Sequence, residues 1–212
     1  MSDEASGNTQ PEGEAKPFVL DRERNTRNLK SVAAIHFTML MAALTLFGAS
    51  DMWAVHSGWA LAEFVAISNA IIASYFILGV LHEWGHYSGA RLSGSITTVA
   101  KKPVNYFFMF NFPFEHNDTR QFVWMSWGGI LVPWALVVLT MLLVPIDNAS
   151  RAMLLAAFVA RAVQVSLFEV PTAVRARNGG DPKQELDRQI ATGFEAGRYY
   201  GLAAGALVLL VV

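Results

Sequence analysis

Five apolar blocks, at roughly residues 31–49, 59–85, 121–145, 152–173 and 198–212, divide this chain and place it in a bilayer. A hydrocarbon core about 30 Å thick takes about 20 apolar residues per helix. Four of the blocks meet that length and the fifth is short, so it is expected to be a tilted or truncated span or a partly interfacial helix. The chain is 53% hydrophobic and only 16% charged, with the apolar residues gathered in runs rather than in the stripes of a water-soluble core. The expected fold is therefore an all-α integral membrane protein, a polytopic bundle of four to five transmembrane helices. Residues 1–28 are polar and carry no periodicity that would bury a face, so a disordered tail is expected there, with the membrane domain occupying 29–212. The first apolar block starts too far from Met1, and lacks the small-residue cleavage site, for a signal peptide; an uncleaved anchor is expected.

Charge sets the orientation. Arg22, Arg24, Arg27 and Lys30 precede the first span, whereas Ser50 to Gly58 contains no Lys or Arg, which predicts a cytoplasmic N-terminus. The second span then runs inward toward Arg91, Lys101 and Lys102. The fourth returns to the same side at Arg175, Arg177, Lys183 and Arg188. The net charge of −1 offers nucleic acid no general attraction, and the apolar blocks make the lipid bilayer the expected partner. With no cysteine, a metal would have to be held by His, Asp or Glu.

At the inner end of the second span lies His82-Glu83-Trp84-Gly85-His86. Histidines four apart share a helix face and can reach one zinc ion, while the glutamate between them lies beside the metal without ligating it. His82 and His86 are thus candidate ligands and Glu83 a candidate general base. An ionisable side chain at the edge of a bilayer is costly, and favours a functional reading over ordinary helix-end histidines. A catalytic zinc usually takes three protein ligands. For the third, Glu169 and Asp181 stand first, ahead of Glu115, His116 and Asp118. Glu169 also suits an ion pair with Arg161, eight residues earlier. Asp181, in NGGDPKQEL, also suits the N-cap of a helix starting at Pro182, with Gln184 completing a capping box.

The stretch LHEWGHYSGARLSG, Leu81 to Gly94, resembles the active-site helix of the site-2 protease family, zinc metalloproteases that cut within the membrane. RQFVWMSWGGILVPW resembles that family's next core helix, with Gly128-Gly129 and a later Pro133 where the family has Gly-Pro followed by Asn. SLFEVPTAVRARNGGDPKQEL resembles its third motif in variants with a longer insert between Pro and Asp, with Pro182 in place of the expected Gly. The resemblance spans roughly residues 59 to 190. It implies a zinc-dependent intramembrane endopeptidase with Asp181 as third ligand, cutting a membrane-anchored protein substrate near the cytoplasmic face. It also implies a short re-entrant hairpin in residues 103 to 114, where Tyr106, Phe107, Phe108, Phe110, Phe112 and Phe114 otherwise suit an interfacial aromatic anchor. Gly128 and Gly129 equally suit close helix packing. Two other functions fit the same residues: a non-catalytic membrane scaffold of this fold, and a metal or proton transporter. A relay would spread ionisable groups through the bilayer, whereas here mainly His36, Glu63 and Arg161 lie away from the inner end.

Overall fold

A computed structural model describes residues 20–104, 107–192 and 194–212; residues 1–19, the start of the expected tail, and Tyr106 lie outside the described residues. The protein is a multi-pass bundle whose four long apolar helices are α1 (Arg22–Ser57), α2 (Ala60–Leu92), α3 (Thr119–Leu143) and α4 (Ala149–Arg177). Asp21 caps α1 by accepting from the Arg24 N–H at 2.9 Å, so residues 22–28 belong to the helix and not to a disordered tail. The expected loop at Ser50 to Gly58 is likewise mostly helix: α1 continues to Ser57 and stops at Gly58, whose φ of 63° a side chain would disfavour. The candidate for a fifth span is the pair α5 (Pro182–Thr192) and α6 (Phe194–Val211), with 182–192 and 197–211 bent by 68°.

Small residues draw these helices together, as expected where lipid tails remove any hydrophobic drive for helix association. Gly197, Gly201 and Gly205 recur every fourth residue on α6 and face Gln164, Ala160 and Ala156 on α4; a Cβ on Gly201 would lie 2.4 Å from the Ala160 carbonyl oxygen. Ala70, Ala73, Ile77 and Leu78 of α2 pack with Val137 of α3 and with Leu154, Leu155, Phe158 and Ala162 of α4 in the main core.

The start of α1, the end of α2, the start of α3 and the end of α4 share one end of the bundle. There β1 (Thr98–Val104) and β2 (Phe108–Asn111) form an antiparallel hairpin with Thr98 opposite Asn111 and Val99 opposite Phe110. Asn25 accepts from the Val99 N–H at 2.6 Å and donates to the Thr97 carbonyl at 3.0 Å, and Asn28 donates to the Val99 carbonyl at 2.8 Å. These side chains satisfy β1 where it has no strand neighbour. From there the hairpin runs along α2 to Phe107, which packs against Tyr75 and Phe76 with ring centroids at 5.2 and 6.1 Å. Gly79 makes room for it, since a Cβ there would lie 2.8 Å from the Phe107 ring. Gly79 precedes the end of α2 by about 20 Å of helix, so the hairpin reaches back along α2 by about that length.

The opposite end is closed by a buried charge. Asp51 of α1, 5% exposed, takes the Arg151 guanidinium at 2.8 and 2.9 Å and also accepts from Asn148 and Ser150. Removing the carboxylate leaves Arg151 with the exposed Asp147, at 2.9 Å, as its ion-pair partner among the described residues. Asp51→Ala is therefore expected to cost about 1–3 kcal/mol of stability, the usual cost of stranding buried hydrogen-bond partners, read as a lower unfolding midpoint in detergent; an unchanged midpoint would show that the pair contributes nothing net.

Candidate metal centre

Three ligand atoms meet where α2 passes between α3 and α4. His82 Nε2 and His86 Nε2 are 3.1 Å apart, and Glu169 Oε1, from α4, lies 3.1 Å from the first and 3.2 Å from the second. Among the described residues this is the group of three side chains that could hold a metal ion. Four ligands placed tetrahedrally at 2.0–2.1 Å are separated by about 3.3 Å, so the triangle is close to the size a zinc ion requires.

The tautomers are fixed from α3. His82 Nδ1 lies 3.1 Å from the Gly129 carbonyl and His86 Nδ1 2.9 Å from that of Met125. A carbonyl can only accept, so each Nδ1 donates. For the neutral imidazole this leaves the Nε2 lone pair pointing into the triangle, the arrangement typical of a ligating histidine. Two such lone pairs and a carboxylate oxygen at 3.1 to 3.2 Å repel one another unless positive charge, a metal ion or a proton, lies between them. The second oxygen, Glu169 Oε2, is buried and takes no hydrogen bond among the described residues.

The local sequence explains why α3 can serve the histidines. In an α-helix the Gly129 carbonyl would accept from the N–H of residue 133, but residue 133 is proline and has none. The oxygen is left for His82. Gly129 also admits the His86 ring, whose atoms a Cβ would approach within 2.2 Å. Gly85 and Gly128 let the two backbones touch: a Cβ on Gly85 would lie 2.4 Å from the Gly128 oxygen. Pro133→Ala would return an N–H that competes for the Gly129 carbonyl. It is expected to weaken zinc affinity by about 10–100-fold, as losing a ligand's supporting hydrogen bond does, checked by competition with a fluorescent chelator; unaltered affinity would remove that support from the account.

Glu83 is 8% exposed, neighbours His82 in the chain, and takes no hydrogen bond from the described residues. The residue is thus mostly buried, its carboxylate is uncommitted among the described residues, and its electrostatic neighbours include His86, His82 and Glu169. Trp84, within the same pentapeptide, donates from its indole to His36 Nδ1 at 3.0 Å and ties the site to α1.

His82 and His86 lie together with Glu169, and Asp181 does not join them. It is exposed and caps α5, accepting from the Gln184 N–H at 2.8 Å. The Asp-Pro sequence makes a helix start, and this local preference governs the carboxylate. Glu169 takes the place beside the histidines. Its alternative partner, Arg161, bonds instead to Gln164 at 2.9 Å. Glu115 and His116 are exposed in a short 3-10 turn, and Asp118 forms a capping box with Gln121 at the start of α3. No family model, curated protein or solved structure matches the chain.

Proposed function

We propose that the protein is a zinc-dependent intramembrane endopeptidase, similar to the site-2 proteases, in which His82, His86 and Glu169 hold the metal and Glu83 is the general base. The observation that carries this reading is the triangle of two correctly presented imidazoles and one carboxylate oxygen, at 3.1 to 3.2 Å, with the mostly buried Glu83 next to His82 in the chain. His82, His86 and Glu169 would hold a zinc ion, which would supply polarisation of a peptide carbonyl and a water whose pKa is lowered to about 7. Glu83 takes a proton from the water as its oxygen attacks the carbonyl carbon. It then delivers that proton to the amine as the carbon–nitrogen bond breaks. The carbonyls of Met125 and Gly129 keep both imidazoles oriented through the cycle.

A transmembrane substrate must unwind before its peptide bond is accessible. The hairpin supports that step, because β2 has no strand partner other than β1 among the described residues and offers backbone groups to an extended segment. The basic residues gather at the end of the bundle that carries the hairpin, against Arg151 at the other end. This favours a cytoplasmic placement for the hairpin, the N-terminus and the near side of the metal centre.

The test is cleavage of a single-span substrate by protein reconstituted in vesicles. Cleavage that stops on chelation and returns with zinc is the expected result. Cleavage indifferent to chelation would remove the metal from the mechanism.

A further inference from the structure

Two arginines and two tryptophans share a cavity at the end of the bundle that carries the hairpin. It measures about 580 Å³, opens between the start of α3 and the end of α4, and is lined by Thr119, Arg120, Val123, Trp124, Trp127 and Arg177. That volume lies within the range of about 300–1,000 Å³ usual for small-molecule sites. No acid is among the lining residues, and neither guanidinium makes a hydrogen bond or ion pair to the described residues. Asp118, two places before Arg120, is held in the capping box with Gln121. The cavity is therefore positive, and guanidinium forks suit phosphate oxygens.

The first turns of α3 sort these side chains by depth. Arg120, Trp124 and Trp127 stand at i, i+4 and i+7 on one helix face, so the two indoles lie about 6 and 10 Å deeper than Arg120. Leu131, Trp134 and Val138 continue the same face, and every one of these apolar side chains is exposed, as is Val174 one turn before Arg177 on α4. An exposed apolar face on a membrane-spanning helix is the face turned to lipid. The polar layer of a bilayer is about 5–8 Å deep on each side. With the arginines at phosphate level, Trp124 sits at the boundary with the hydrocarbon and Trp127 beside the first methylenes, the levels at which tryptophan is enriched.

A free phosphate would meet the arginines and leave the indole wall uncovered. A zwitterionic lipid would cover the wall but bring its own cation to two others. We propose that the cavity is a binding site for an anionic phospholipid, with the phosphate held by Arg120 and Arg177 and the glycerol and upper acyl chain laid against Val123, Trp124 and Trp127. The basic residues of this end favour the cytoplasmic side, and the cytoplasmic leaflet is the one that carries anionic lipid. The site adjoins the turn of α3 whose Met125 carbonyl orients His86, yet uses none of the residues of the metal centre, so it stands whether or not the protein is a peptidase.

The probe is phosphatidylglycerol brominated on its acyl chains, which quenches a tryptophan that it touches. The full chain is reconstituted in phosphatidylcholine vesicles with rising fractions of the brominated lipid, and the quenching that is lost in Trp124→Phe/Trp127→Phe reports the cavity. Brominated phosphatidylglycerol is expected to bind there about tenfold or more tightly than brominated phosphatidylcholine. The preference should fall to about twofold in Arg120→Gln/Arg177→Gln, which removes no contact with the described residues. It should persist in Lys101→Gln/Lys102→Gln, which removes the same charge from the hairpin. Equal binding of the two lipids to wild type would overturn the proposal. Loss of the preference in both double variants alike would also overturn it, because the attraction would then be that of a basic surface and not of the cavity. Inorganic phosphate at constant ionic strength should leave the quenching unchanged; displacement of the lipid by it would reassign the arginines to a free anion and contradict the lipid site.

Discussion

Glu83→Gln is expected to keep the fold and the metal and to lose proteolysis of a membrane-anchored substrate by about 10²–10⁴-fold, the usual contribution of a general base. The substitution changes the side chain's proton affinity far more than its size. An amide cannot take the proton of the attacking water at neutral pH, and Glu83 makes no hydrogen bond to the described residues whose loss would disturb packing. Its burial at 8% exposure means that bulk water has little access to substitute for it. A non-catalytic scaffold would behave differently, because shape alone would then matter and the variant would sustain the cellular role of the wild type. Cleavage and phenotype should therefore be scored together, in preparations matched for expression and zinc. Equal activity in the two proteins would remove the catalytic role of Glu83 and leave the metal site standing.

The bundle was legible because membrane insertion writes itself in block length. The four long blocks appear as α1 to α4, with ends extended by capping residues such as Asp21 and Asn148 that apolar counting does not register. The closure of the bundle was less visible. Asp51 and Arg151 are 100 residues apart, and nothing local to either identifies the other. The glycine series 197, 201 and 205 did carry a signal, the four-residue spacing of close helix packing, and its partner line on α4 was the part that required coordinates.

At the metal centre the spacing of His82 and His86 was sufficient for one helix face, because a single turn fixes it. The third side chain comes from another helix, and its selection depends on helix rotation. Asp181 carried a local alternative, the cap at Pro182, and that preference prevails in the structure. Glu169 had a competing partner in Arg161 but no cap to make, and α4 turns it toward α2. Pro133 was also readable in retrospect: a proline four residues after Gly129 identifies a carbonyl released from its helix bond.

The second large effect concerns the ligand set itself. Removing one of three protein ligands leaves a site that cannot close around the ion, so His82→Ala, His86→Ala and Glu169→Ala are each expected to lose zinc on purification. Asp181→Ala removes a helix cap worth about 0.5–2 kcal/mol and touches no atom of the triangle, so its zinc should remain. The decisive measurement is the zinc content of purified wild-type, Glu169→Ala and Asp181→Ala proteins, each confirmed as folded. About one zinc per chain in wild type and in Asp181→Ala, with little in Glu169→Ala, is the expected outcome for a three-ligand site. Full zinc in Glu169→Ala, or its loss in Asp181→Ala, would contradict the assignment of the centre to His82, His86 and Glu169.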